Sequence, residues 1–217
     1  MLIKMVEPVL QVNDTIAAEN RALLKAHNVL EVNIMGSPGS GKTAILERTL
    51  GALGPLRMGV IEGDITTTAD AERLVRFGVP IVQINTEAFG GDCHLAAHVI
   101  KKALASFDLS ALDLLFVENV GNLVCPAEFE IGEDRKVVVL SITEGEDKPL
   151  KYPLMFRVCH AVLVSKMDLV PHLDVDIAKL RTNIHAVNPK LEIIELSAKT
   201  GQGVDEWVAW LRAAMQS

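Results

Sequence analysis

The sequence predicts an α/β fold with a doubly wound, mostly parallel sheet of seven strands. Seven apolar runs are continuous rather than alternating, which is typical of parallel strands buried on both faces; they cover residues 29–35, 57–61, 80–84, 112–118, 136–142, 161–165 and 191–196. Patterns with helical spacing lie between these runs, at residues 43–53, 70–77, 94–107, 174–187 and 204–215. Because strands and helices alternate, the binding loops should lie at the carboxyl ends of the strands.

The length and composition indicate how the chain is organised. Its 217 residues are 49% hydrophobic, which is enough for one domain with a substantial core. We therefore expect a single domain over residues 1–217 that begins with an amphipathic helix at about residues 8–27. The apolar residues of that helix at near-helical spacing are Val9, Val12, Ile16, Leu23 and Leu24.

The charge and the apolar segments limit the classes of function. The formal net charge is -7, and no run of basic residues is longer than Lys101-Lys102. This balance argues against a nucleic-acid or anionic-membrane partner and favours protein partners. No apolar run reaches the roughly 18 residues that a membrane span needs, and the start lacks the features of a signal peptide. We expect a cytoplasmic protein, in which the three cysteines are reduced.

The first strand leads into a phosphate-binding motif. The pattern G-x-x-x-x-G-K-[ST] is matched at every fixed position by the consecutive residues Gly36, Ser37, Pro38, Gly39, Ser40, Gly41, Lys42 and Thr43, which Ala44 follows on the next helix. The glycines let backbone N–H groups converge on an anion at the positive end of that helix. We expect Lys42 to reach the β- and γ-phosphates, and the Thr43 hydroxyl to bind Mg²⁺. The motif therefore predicts a nucleoside triphosphate site over residues 36–44.

Two later strand ends indicate which base is bound. Ser165-Lys166-Met167-Asp168 resembles the N-K-x-D guanine signature of P-loop GTPases. Asp168 can accept hydrogen bonds from two donors that adenine lacks, and the stem of Lys166 can cover the base. Ser165 stands in place of Asn, which leaves open how this loop is tied to the P-loop. The next strand end carries Ser197, Ala198 and Lys199, which resemble the loop on the other side of the guanine, so we predict GTP and a P-loop GTPase fold.

Acidic residues at other strand ends are candidates for hydrolysis. Glu118-Asn119-Val120-Gly121 stands where most GTPases have D-x-x-G, so Glu118 can hold Mg²⁺ through water, and the Gly121 N–H can meet the γ-phosphate. Asp64 is the first candidate for a further carboxylate that serves the metal or the attacking water, and Asp70 is the second. The residues that we expect to carry hydrolysis are Lys42, Asp64, Glu118 and Gly121.

Cysteine and histidine residues suggest a second metal site. Cys93 and His94 are adjacent, His98 would lie on the same face of a helix that begins at residue 94, and Cys125 follows Gly121 by four residues. Two thiolates with one or two imidazoles suit Zn²⁺ in a tetrahedral site or Ni²⁺ in a square-planar one. The alternative is an incidental pair, since many cysteines are small buried hydrophobes; we expect this of Cys159.

These motifs together closely resemble the HypB family, the nickel-incorporating GTPases of nickel-iron hydrogenase maturation. The resemblance extends from about Leu30 to the end of the chain. Its specific part is the pairing of Cys93-His94 with Cys125, which comes directly after switch II, the segment that contains residues 118–121. It implies a slow GTPase that dimerises on GTP, with Cys93, His94 and Cys125 at the dimer interface and His98 as an extra candidate ligand. It also implies two protein partners, the hydrogenase large-subunit precursor and a small accessory protein that delivers the metal.

The resemblance has further implications for individual residues. The family uses a lysine after the fifth strand to reach the nucleotide of the partner subunit; Lys151 matches better and Lys148 is the alternative. Some members carry an N-terminal C-x-x-C-G-C motif or a histidine-rich tract, and this chain has neither, so we do not expect nickel storage. No glutamine near Gly121 could position water, and Asn122 is the nearest stand-in, which predicts slow hydrolysis.

Three other functions fit part of the sequence. A urease-type nickel accessory GTPase shares the nucleotide motifs, but its metal ligands are typically a C-P-H tripeptide. A P-loop kinase of a small metabolite with a structural zinc is disfavoured, because S-K-M-D and S-A-K are guanine-binding motifs that such a kinase does not need. A nucleotide-gated binding module that never hydrolyses is the third alternative.

Overall fold

The computed structural model describes residues 6–64, 69–86 and 93–216, and in these residues one sheet contains seven strands in the order β3-β2-β4-β1-β5-β6-β7. The strands are β1 (Leu30–Gly36), β2 (Met58–Asp64), β3 (Ile81–Asn85), β4 (Leu114–Glu118), β5 (Arg135–Ser141), β6 (Ala161–Ser165) and β7 (Glu192–Glu195). Every neighbouring pair is parallel. The predicted fold class is confirmed.

The helices also lie near their predicted positions. They are α1 (Val6–Ala26), α2 (Lys42–Ala52), α3 (Ala69–Val75), α4 (Ala97–Leu104), α5 (Cys125–Glu128), α6 (Lys148–Lys151), α7 (Pro153–Val158), α8 (Ile177–Val187) and α9 (Val204–Ala214). The three shortest helices, α5, α6 and α7, were not predicted, because so few turns show no apolar period. The start of α4 was predicted wrongly: the helix begins at Ala97, so residue 94 precedes it.

Apolar side chains are buried on both faces of the sheet. On one face, α2, α3 and α9 cover the strands, and Leu46, Trp207 and Phe116 are fully buried in one core cluster. On the other face lie α1 and α4 over one half of the sheet, and α7 and α8 over the other half. This burial explains why the strand sequences are continuous apolar runs.

The packing of α1 differs from the sequence prediction. Val12 and Leu23 are 60% and 41% exposed, whereas Asn13, Ala17, Asn20 and Leu24 form the buried face. These four residues follow helical spacing, but two of them are polar, so the apolar residues alone identified only Leu24 of this face. The first nine side chains of the chain lie outside the described residues.

The two asparagines of α1 are buried because they bind backbone groups. Asn20 Nδ2 donates to the carbonyls of Ala97 at 2.9 Å and of Ile131 at 2.8 Å. Asn13 Nδ2 donates to the carbonyl of Glu130 at 2.7 Å, and its Oδ1 accepts from Ala97 N at 3.0 Å. Helix α1 therefore binds the start of α4 and the loop before β5.

None of the helices in the described part of the chain is long and apolar enough to span a membrane.

Candidate functional site

The P-loop connects β1 to α2 at the centre of the sheet. Gly41, the residue before α2, has φ of 103°, a left-handed conformation that favours glycine. Lys42 is 8% exposed, and its Nζ donates to the carbonyl of Ser37 at 3.4 Å, so the ammonium group lies over the loop. A cavity of about 320 Å³ opens beside it, lined by residues of the P-loop and of the ends of β2 and β4. This is where a triphosphate chain would bind.

Three carboxylates line that cavity. Asp64 ends β2, Glu118 ends β4, and Glu62 pairs in register with Glu118 on the neighbouring strand. The Thr43 hydroxyl donates to Glu118 Oε1 at 2.7 Å, so two of the three residues predicted to serve Mg²⁺ meet at one point. An oxygen-rich site of this kind suits Mg²⁺. The side chain of Asp70, the second candidate, lies outside the described residues.

Two residues that line the phosphate cavity were not singled out from the sequence. Glu62 is 2% exposed, and a charged residue inside an otherwise apolar strand was the pattern that could have indicated it. Arg73 extends from α3 and forms an ion pair with Glu47 of α2. No sequence pattern places Arg73 here, because α3 reaches the cavity only through the order of the strands.

The segment after β4 contacts the P-loop closely. A Cβ atom added at Gly121 would lie 2.9 Å from Pro38, so only glycine allows this approach. The next residue, Asn122, donates its backbone N–H to the carbonyl of Gly36 at 3.0 Å. Its side chain points away from the phosphate cavity, where Nδ2 donates to the carbonyl of Cys93 and Oδ1 accepts from Val124 N. Asn122, the nearest stand-in for a water-positioning glutamine, therefore does not line the phosphate cavity in this structure.

A second cavity, of about 270 Å³, lies between the P-loop helix and the two predicted guanine loops. Asp168 and Lys166 line it together with Ala198 and Lys199. Ser197 is fully buried, and its hydroxyl donates to Asp168 Oδ1 at 2.6 Å, which fixes the carboxylate. Lys199 Nζ lies 3.9 Å from the other carboxylate oxygen of Asp168. The two loops therefore face the same volume, as the sequence predicted.

The structure answers how the loop with Ser165 is tied to the P-loop. The Ser165 hydroxyl donates to the carbonyl of Ser40 at 2.6 Å, and Lys166 Nζ donates to the carbonyl of Gly39 at 2.6 Å. A serine therefore supplies the link for which the usual signature has Asn. Arg48 of α2, which the sequence did not single out, donates to the carbonyls of Ala198 and Lys199 and so holds the other guanine loop.

Cys93, His94 and Cys125 come together at the carboxyl ends of the strands, where the two cavities also lie. Their ligand atoms all lie within 4.8 Å of one another. The two sulfur atoms are 2.6 Å apart, and the ring of His94 stacks on Phe129 with 4.0 Å between the centroids. His98 does not belong to this group: it lies exposed on α4, and His94 precedes that helix, so the two imidazoles do not share one helix face.

The donor set fits a soft divalent ion, since two thiol sulfurs and an imidazole nitrogen are ligands that both Zn²⁺ and Ni²⁺ accept. Burial, followed by the hydrogen bond and the charge of Cys93, raises the pKa of the Cys125 thiol, whereas a hydrogen bond from the side chain of Asn122 lowers it. A metal ion would displace protons on binding, because the thiolate is the ligand.

The third cysteine and the two candidate lysines lie elsewhere. Cys159 is buried in the core beside Met155, as expected. Lys148 Nζ lies 3.5 Å from Glu144, a residue that accepts a hydrogen bond from Ser37 of the P-loop. Lys151 forms an ion pair with Asp147 on the surface, and its side chain is 63% exposed.

Comparisons with known proteins agree with this geometry. Residues 30–195 match the family described as "CobW/HypB/UreG, nucleotide-binding domain". The chain is 50% identical to the hydrogenase maturation factor HypB of Azotobacter vinelandii over 211 residues, which cover 97% of this chain and 69% of that protein. The sequence comparison thus extends over both cavities and the cysteine–histidine group.

Two solved structures have the same fold over nearly the whole chain. The crystal structure of the hydrogenase maturation factor HypB from Archaeoglobus fulgidus superposes with a TM-score of 0.88 at 41% identity, covering 95% of this chain and 100% of that one. HypB from Helicobacter pylori, crystallised in complex with nickel, has a TM-score of 0.88 at 36% identity, and the match covers 94% of this chain and 95% of that one.

Proposed function

Since the chain belongs to the HypB family of hydrogenase maturation factors, within the CobW/HypB/UreG nucleotide-binding domains, we propose that it is a GTP-hydrolysing metallochaperone that helps to insert nickel into nickel-iron hydrogenase. The observation that carries this proposal is the group of Cys93, His94 and Cys125, whose ligand atoms lie within 4.8 Å of one another. Cys125 lies four residues after Gly121, which packs against the P-loop.

The nucleotide half of the proposal follows from the two cavities. The P-loop amides and Lys42 bind the phosphates, while Asp168 reads the guanine and Lys166 covers it. Thr43 and Glu118 would hold Mg²⁺, which neutralises charge on the phosphates. Asp64 lines the same cavity and is the candidate for orienting the attacking water. No glutamine lies among the described residues that line it, which supports slow hydrolysis.

The metal half treats nickel as cargo. Thiolates and imidazole are ligands that both Ni²⁺ and Zn²⁺ accept, so Cys93, His94 and Cys125 form a site that can take up and release either ion. The H. pylori relative was crystallised with nickel, which supports nickel as the ion that is carried. We propose that GTP orders the segment from Glu118 to Cys125 and sets the geometry of the thiolates, and that hydrolysis relaxes it.

The proposal includes a GTP-dependent homodimer and transfer to other proteins. Lys151 extends from the surface, whereas Lys148 is held by Glu144 near the P-loop of its own subunit. Lys151 is therefore the better candidate for reaching the nucleotide of a partner subunit. The acceptor would be the hydrogenase large-subunit precursor, and the donor a small accessory protein. Both partners are inferred from the family.

The test combines hydrolysis, metal binding and oligomeric state. GTP should be hydrolysed slowly with no added acceptor, which a small-metabolite kinase would not do. Ni²⁺ is then titrated into the protein with GDP and with a non-hydrolysable GTP analogue, while light scattering measures the molar mass. We expect a dimer with the analogue and a different nickel affinity in the two states. Equal affinities would leave a GTPase with an independent metal site and would contradict the proposed switch.

A further inference from the structure

Asn122 lies between the P-loop and both cysteines of the metal group, and its hydrogen bonds to backbone groups link them. Its backbone N–H donates to the carbonyl of Gly36, the first residue of the P-loop, at 3.0 Å. Its side-chain Nδ2 donates to the carbonyl of Cys93 at 3.2 Å. Its Oδ1 accepts from the N–H of Val124, the neighbour of Cys125, at 2.8 Å.

We infer that Asn122 is the positioning residue through which the nucleotide state reaches the metal donors. This inference rests on the function proposed above, and it assigns the coupling to a single side chain. Asn122 follows Gly121, whose position is set by contact with Pro38 of the P-loop. A shift of this peptide on loss of the γ-phosphate therefore moves an amide that binds both donor-bearing segments at once.

The geometry explains why one side chain suffices. Cys93 lies between β3 and α4, whereas Cys125 begins α5 after β4, so the two cysteines belong to loops that are far apart in sequence. The planar amide of Asn122 has a donor on one side and an acceptor on the other, and these are fixed relative to each other. Because the carbonyl of Cys93 binds the donor and Val124 binds the acceptor, rotation of the amide changes the spacing of the two thiols.

The buried side chain of Asn119, which lies nearby, makes a different set of contacts. Asn119 Oδ1 accepts from Leu95 N at 3.1 Å, and Asn119 Nδ2 donates to Asn33 Oδ1 on β1 at 3.2 Å. It thus ties the loop after Cys93 to the central strand, but none of its hydrogen bonds reaches the Cys125 segment. Asn122 is therefore the better candidate for setting the geometry of both thiols.

The variant Asn122→Ala tests the inference. For the unchanged protein we expect the Ni²⁺ affinity with GDP and with a non-hydrolysable GTP analogue to differ by roughly 5- to 150-fold, the usual range of coupling between two sites. In Asn122→Ala this ratio should fall below about twofold, while GTP binding persists. The nickel–thiolate absorption band reports metal binding in each state at fixed pH. By linkage, Ni²⁺ should also lose its effect on nucleotide affinity.

Asn188→Ala is a matched control. The side chain of Asn188 also donates to a remote carbonyl, that of Phe156 at 3.0 Å, and it accepts from the backbone N–H two residues later, at 3.1 Å. It lies at the end of α8, away from the described metal group and the phosphate cavity. A purely structural loss should lower the Tm in both variants, so only the affinity ratio separates a positioning role from a structural one.

Asn122→Asp keeps the inference testable if the alanine variant does not fold. Aspartate retains an oxygen for Val124 N–H but has no N–H for the carbonyl of Cys93, so the ratio should again fall. A full affinity ratio in a folded Asn122 variant would overturn the inference. A ratio near one in the unchanged protein would instead overturn the switch of the proposed function, so the two failures are distinguishable.

Discussion

Two regions at the carboxyl ends of the strands are built differently. We call them the guanine end, which contains residues 165–168 and 197–199, and the metal end, which contains Cys93, His94 and Cys125. At the guanine end, Asp168 is fixed by Ser197, and Ser165 and Lys166 are bonded to P-loop carbonyls. At the metal end, Cys93 and Cys125 belong to separate loops, and the side chain of Asn122 binds the backbone of both loops. The proposed guanine site is thus held by hydrogen bonds of its own side chains, whereas the proposed metal donors are positioned through the backbone of two loops.

The largest expected effect tests the guanine end. Asp168→Asn should shift the preference from GTP toward xanthosine triphosphate. Xanthine has an acceptor where guanine has its exocyclic donor, and the amide of the new asparagine can donate to that acceptor. Loss of buried hydrogen bonds of this kind changes the ratio of the two affinities by a factor on the order of 10⁴. Competition binding with the two nucleotides measures the shift. Full retention of GTP preference would show that Asp168 does not read the base.

The next effect tests the metal end. Cys125→Ala should lower Ni²⁺ affinity by more than about 100-fold, since removal of a ligand costs more than removal of the groups around it. In the absence of metal, GTP binding and base preference should be unchanged, because the two ends share no side chain. Cys159→Ala is the matched control: it should keep the nickel affinity and cost only about 1 kcal/mol in the free energy of unfolding. A similar loss of nickel affinity in both variants would contradict the assignment.

The pH dependence of nickel affinity is a second test of the metal end. The pKa of the Cys125 thiol is raised by burial and by Cys93, so the thiol is protonated near neutral pH, and Ni²⁺ has to displace that proton. Nickel affinity should therefore rise by about tenfold per pH unit for this proton alone, until the pH exceeds the raised pKa. Isothermal titration between pH 6.5 and pH 8 measures the slope. A flat profile would exclude Cys125 thiolate as a ligand.

A smaller effect is expected at the guanine end from a residue that never contacts the base. Arg48→Ala removes two hydrogen bonds to the carbonyls of Ala198 and Lys199, and we expect GTP affinity to fall by about fivefold, or about 1 kcal/mol. Arg181→Ala, which breaks the exposed pair with Glu195, is the control and should leave GTP affinity unchanged. Unchanged affinity in Arg48→Ala would show that the loop keeps its position without this contact.

The comparison also explains what the sequence could predict. The strands and the guanine loops depend on residues that are neighbours in the chain, such as Ser165 and Asp168, so a local pattern was sufficient. The metal group depends on the meeting of Cys93 with Cys125, which requires the order of the strands. The buried face of α1 and the contacts of Arg48 were not predicted, because both depend on polar groups that bind backbone carbonyls on distant elements.

The resemblance to a family gave Cys93, His94 and Cys125 together, but it did not indicate where Asn122 points. The residue type suggested a substitute for a catalytic glutamine. Its orientation follows from the backbone hydrogen bond to Gly36, which places the side chain against the loop of Cys93. Orientation of this kind cannot be inferred from spacing along the chain.

The asparagines of α1 limit how far a movement at the metal group can spread. Asn13 and Asn20 bind the backbone of Ala97, four residues after Cys93, and of Glu130 and Ile131, shortly after Cys125. Each donor-bearing segment is thus held on one side by Asn122 and on the other side by α1. Only a few residues lie between these fixed points, so a movement of the donors stays within two short loop segments, on the nanosecond-to-microsecond scale of loop motions, without any strand leaving the sheet.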